Sequence, residues 1–238
     1  MHKISKATRD RWPAVKWMAL LIASPSFACA AEHLPWSGCY VGVQAAAVRS
    51  QSDDWTPQSS GGAYTGQTLG GHAARGGAGG LQAGCNAQVG ERFVVGVQAD
   101  HLRVNAAGQH DSARETGVAY HSNVRALTSI TGRAGYLMQP DLLGYAKAGV
   151  VIEHGHQWAT TTQLGTAYTA SGARAGWTVG LGAEALLARH WSGFLEVNFH
   201  RWGTRSIAVA PQVAGLPPAM IRITQSGTAV RAGLNYRF

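Results

Sequence analysis

Six ionisable residues sit within otherwise apolar, alternating segments: Asp100, Arg133, Lys147, Glu184, Glu196 and Arg231. Three acids and three bases on one kind of face can pair into a fixed plug, or rearrange as a gated ion path. Two other groups carry chemistry. His154-Gly155-His156 puts two imidazoles on one side of an extended segment, a half-site for metal or haem. Solvated histidines are the plainer account, and no metal or cofactor is expected. Cys39 and Cys85 have matching parity on two consecutive alternating segments, and in an oxidising compartment they could bond.

What positions these residues is a period of two. In the last eleven residues Val230, Ala232, Leu234, Tyr236 and Phe238 share one face, and Arg231, Gly233, Asn235 and Arg237 the other. Similar segments cover 36–48, 79–89, 93–102, 127–138, 142–152, 177–187 and 191–199, which makes eight strands. Three connections are very short, at 90–92, 139–141 and 188–190, and they alternate with four long, polar loops. Segments of about ten residues are what a tilted strand needs to cross a bilayer. Even strand number and segregated loop lengths predict an all-β, eight-stranded antiparallel up-and-down transmembrane barrel, with short periplasmic turns and long extracellular loops.

Composition agrees. Charged residues make up 13% of the 238, and there are 31 glycines, which suits short strands and glycine-rich loops. Residues 1–30 read as a signal peptide: Lys3, Lys6, Arg9, Arg11 and Lys16 precede the short apolar run 18–28, and Ala28-Cys29-Ala30 supplies a cleavage site. Residues 31–238 are then one barrel domain. The leader carries five Lys/Arg and one Asp, so its removal takes the formal charge from +8 to +4 and weakens any case for nucleic acid. Lys147 is the only lysine left.

The motifs W-S-G-x-Y-V-G (Trp36–Gly42), G-R-A-G-Y (Gly132–Tyr136), L-x-Y-x-x-A-G-V (Leu143–Val150), G-W-T-V-G-x-G-x-E (Gly176–Glu184) and A-G-L-N-Y-R-F (Ala232–Phe238) occur in order. Together they resemble the porin-family outer-membrane β-barrel proteins of Gram-negative bacteria, related in architecture to the OmpA transmembrane domain. The resemblance implies export to the outer membrane and insertion by the barrel assembly machinery. It also implies contact with outer-membrane lipids and lipopolysaccharide, and a C-terminal assembly signal in Tyr236 and Phe238. Relatives usually carry an aromatic residue where Cys39 and Cys85 stand.

Alternation puts all six charges on the lumen face. Counted from the periplasmic ends, five fall in one layer with Glu184 slightly below. Pairing of Glu196 with Arg231 and of Asp100 with Arg133, on adjacent strands, is the expected plug. Enzymes on this fold use His with Ser or Asp, but His200 and Ser206 form no such arrangement, so no enzyme is expected. The expected function is a structural or surface role, with a narrow passive pore as its variant. The alternative is a surface receptor for haem, metal or a host or phage partner, working through loop residues such as His72, His110, His121, Trp55, Tyr64, Trp158 and Tyr168.

Overall fold

The structure is a computed structural model. It describes residues 35–57, 66–67, 70–112, 116–162, 165–211 and 219–238. The proposed signal peptide and Tyr64 lie outside the described residues, as do the side chains of Trp55 and Tyr168.

Eight strands form one closed antiparallel barrel in sequence order: β1 (Gly38–Pro57), β2 (His72–Val89), β3 (Phe93–Asp111), β4 (Val118–Gln139), β5 (Leu142–Thr161), β6 (Gly165–Ala188), β7 (Trp191–Pro211) and β8 (Ala219–Arg237). β1 pairs with both β2 and β8, so no edge is left. In lipid an open edge would leave unpaired backbone donors and acceptors, each costing several kcal/mol. The outward face carries exposed apolar residues on strand after strand, among them Leu81 at 65% and Leu181 at 69%. In water such a band would aggregate; hydrocarbon is its natural cover.

The strands are longer than the ten-residue segments read from the sequence. β6 runs for 24 residues and β4 for 22, so much of what alternation assigned to long loops is strand. His72, His110, His121, His154 and His156 are all on strands. Beyond the bilayer neither face has to be apolar, so hydrophobic alternation stops where the strand does not.

The lumen is filled in layers. At the periplasmic end Trp36, Val94, Leu137, Leu143 and Tyr145 form an apolar cluster. Trp36 closes it, donating its indole N–H to the Pro140 carbonyl at 3.0 Å. Farther along, Val48, Leu102, Val124, Leu127, Val151 and Trp202 form a second apolar cluster. Trp202 belongs to it because β7 shifts register between Arg201 and Gly203, where Gly203 has a φ of 66°. The charged residues occupy the space between.

Large inward rings need small neighbours. A Cβ on Gly182 would stand 2.5 Å from the Tyr145 ring. On the outer wall, a Cβ on Gly132 would meet nothing within 4 Å. Gly182→Val should therefore destabilise the folded barrel by about 1–3 kcal/mol through overpacking, while Gly132→Val should be neutral. The temperature at which folded, fast-migrating protein is lost on a gel distinguishes them.

Candidate functional site

All six charged residues predicted to face the lumen do so, and all are buried. The expected Glu196–Arg231 pair is present at longer range, and the expected Asp100–Arg133 pair is replaced by two others. Arg231 Nη1 meets Asp100 Oδ1 at 2.6 Å and lies 3.9 Å from Glu196 Oε1. Lys147 Nζ meets Glu196 Oε1 at 2.7 Å. Arg133 pairs with Glu184 at 2.7 Å, not with Asp100.

The register accounts for this correction. Asp100 is level with Ser129 on β4, whereas Arg133 is level with Gly96, nearer the periplasm. Adjacent strands in a barrel are staggered, so equal counts from strand ends are not equal heights. In an eight-stranded lumen a long side chain also reaches across to the far wall. Arg231 on β8 meets Asp100 on β3 in this way. The single expected layer is therefore two groups: Asp100, Arg231, Glu196 and Lys147 in one, Arg133 and Glu184 in the other. Tyr145 joins them. Its hydroxyl donates to Glu196 at 3.0 Å, and the Arg133 guanidinium lies over its ring at 4.0 Å.

Neutral groups complete the network. Ser192 and Asn235 donate to Glu184 at 2.6 and 2.9 Å, and Ser129 donates to Asp100 at 2.5 Å. Arg237 lies 4.0 Å from Glu184 and 4.8 Å over the Trp36 ring, and donates to the Pro35 carbonyl at 2.8 Å. Its parity with Arg231 was visible in the sequence. Farther out, Glu153 and Arg174 face each other across β5 and β6, and Gln225 links them while donating to Ser50 at 2.7 Å. These residues lie beyond the apolar alternation, so no periodicity pointed to them.

Removing one member of the network strands a buried charge. Arg231→Met should cost about 3–5 kcal/mol, measured by urea unfolding in detergent. The double change Asp100→Asn with Arg231→Met should recover most of that loss, because Lys147 and Glu196 remain a balanced pair.

At the outer end, His72 bonds His110 through their Nδ1 atoms at 2.7 Å and Ser122 through Nε2 at 2.6 Å. Burial first, then the nearby His110 and His121, pull the His72 pKa down to about 4, so its ring is neutral at pH 7. The unfolded chain binds that proton near the ordinary value of 6.5. Stability from this residue is thus lost as pH falls from there through 4. On the outside of the wall His156 bonds Ser171 at 2.6 Å and stacks on Trp158, which also stacks on His121. His154 is exposed on the same side of β5. Among the described residues no three His, Cys, Asp or Glu side chains converge on a metal site. His200 is buried in the lumen against Trp202, away from the exposed Ser206.

Cys39 and Cys85 are directly opposite on β1 and β2, with Cα atoms 3.9 Å apart, and form a disulfide on the outer wall near the periplasmic end. Alkylation of the denatured, unreduced residues 31–238 should add no label, and reduction should expose two thiols to mass-detected labelling. Tyr236 and Phe238 make an edge-on contact at 5.5 Å, and Trp191 packs against Tyr236 at 5.3 Å. The Phe238 N–H bonds the Cys39 carbonyl at 3.0 Å, extending the seam between β8 and β1.

Residues 18–238 match the family described as the outer membrane protein beta-barrel domain. The chain belongs to that family. The 31 kDa outer-membrane immunogenic protein of Brucella melitensis is 27% identical over 245 residues, covering 92% of this chain and 91% of the relative. The same-named protein of Brucella suis matches equally. Among solved structures, the outer membrane protein OprG from Pseudomonas aeruginosa superposes with a TM-score of 0.51 at 10% identity, covering 85% of this chain and 96% of that one. That likeness is one of fold. As a member of the outer-membrane barrel family, the protein resides in the bacterial outer membrane, and its apolar outer wall faces lipid.

Proposed function

We propose that this outer-membrane barrel is a structural surface protein with a plugged lumen and no catalytic activity. One observation carries the reading: the ion-paired network lies between two apolar clusters that fill the lumen, with Trp36 on the periplasmic side and Leu102, Leu127 and Trp202 on the other. An ion crossing this path would have to part buried salt bridges and then traverse an apolar layer, which has no partner to replace its hydration. The name of the Brucella relatives, an immunogenic outer-membrane protein, fits a protein displayed at the surface. The eight strands extend well past the bilayer and would provide that display. The receptor reading has less support, because His156 is engaged by Ser171 and Trp158.

Planar-bilayer recording tests the plug. Folded protein should insert without resolvable conductance steps. Reproducible steps that Glu196→Gln abolishes or shifts would replace the plug with an ion path.

A further inference from the structure

Outside the lumen, the uncharged outward run of a strand repeatedly stops at a cation. On β1 it stops at Arg49, on β2 at Arg75, on β3 just past His101 at Arg103, and on β4 at Arg125. Arg49 is eleven residues beyond Gly38, the first residue of β1, about the length of tilted strand that crosses a bilayer. All four arginines are exposed and lie on consecutive strands, at the level of the outer headgroups. No salt bridge to any of them is present among the residues whose side chains are described, where Asp100 points into the lumen and Asp111 stands much farther out.

The register makes the arrangement costly. Arg49 and Arg75 are direct cross-strand partners. Like charges directly opposite in an antiparallel pair repel and destabilise the sheet. Arg103 pairs with Ala126, next to Arg125, at a register shift that turns Arg125 outward. Among the residues whose side chains are described, no acid offsets these four guanidinium groups.

Just below the first pair the wall is nearly bare. Gly77 and Gly79 on β2 pair with Ala47 and Ala45 on β1. An outward Cβ at Gly77 would meet nothing within 4 Å, and one at Gly79 only a backbone oxygen at 3.9 Å. This leaves a shallow apolar trough running down from the arginines towards Leu81 and Val43.

We propose that the outer wall of β1–β4 is a binding site for a phosphorylated saccharolipid of the outer leaflet, of the lipid A class. The guanidinium groups of Arg49 and Arg75, with Arg103 opposite Gly79 at the edge of the trough and Arg125 next on β4, take its phosphates. The trough of Ala45, Ala47, Gly77 and Gly79 takes an acyl chain. Guanidinium forks bind phosphate oxygens in pairs, and the alkyl chain covers surface that carries only glycine backbone and alanine methyl groups. The site rests on the outer-membrane location and stands whether or not the lumen conducts.

The like-charge pair gives a test with a change of sign. In detergent without phospholipid, Arg75→Gln relieves repulsion and should raise the unfolding midpoint. With bisphosphorylated lipid A present, it should lower the midpoint relative to wild type. By native mass spectrometry, wild type should retain lipid A, while the double variant Arg49→Gln with Arg75→Gln should retain about tenfold less, the loss of one or more charge-assisted contacts. Enzymatically dephosphorylated lipid should be retained poorly by both. Arg201→Gln, an exposed arginine on β7, should behave as wild type. Fast gel migration verifies folding of each variant. Equal retention by wild type and double variant, equal retention of dephosphorylated lipid, or an equal loss in Arg201→Gln would overturn the site.

Discussion

The Arg231–Asp100 contact crosses the lumen from β8 to β3, and the rest of the barrel can be understood from the need to satisfy it. A closed eight-stranded sheet encloses a space that side chains just fill. A charge placed there has neither water nor room to escape. Asp100, Glu184 and Glu196 have each been met by a cation and by hydroxyl or amide donors, and Tyr145 ties one group of pairs to the other. The glycines follow from the same crowding. Gly182 gives the Tyr145 ring its place, and Gly84 does the same for Tyr40.

The two faces of the wall answer to different solvents. Outward positions obey the bilayer: apolar through its thickness, aromatic at the periplasmic rim around Trp191, Tyr236 and Phe238, and cationic where the hydrocarbon ends. Inward positions obey the lumen, where polarity is allowed only if paired. The disulfide belongs to the outward set and fastens β1 to β2 at one end of the first hairpin. The other side of β1 is held to β8 by the long backbone ladder, with Gln225 donating to Ser50 across it.

What could be read from the sequence follows this division. Strand number, order and facing were legible between the aromatic rim and the first outward cation, because lipid imposes apolarity on every second residue there. Past that level the signal fades although the strands continue, so the histidines of β2 to β5 looked like loop residues. Lumen polarity was legible, and pairing was not. Equal counts on adjacent strands point from Asp100 to Arg133. The stagger between strands and the reach of arginine across the lumen make Arg231 its partner instead. The pair Glu153 and Arg174 lay beyond the alternating segments and left no periodic trace.

Lys147 is sealed in the lumen against Glu196, and no other lysine follows residue 30. The fixed positive charge on the outer wall is therefore guanidinium. An ammonium can be acylated, and its proton can be lost when it is desolvated; a guanidinium keeps its charge in any ordinary environment. Amine-directed chemistry thus has no side-chain target on the exterior of this barrel, and the guanidinium charge of its rim is permanent rather than adjustable.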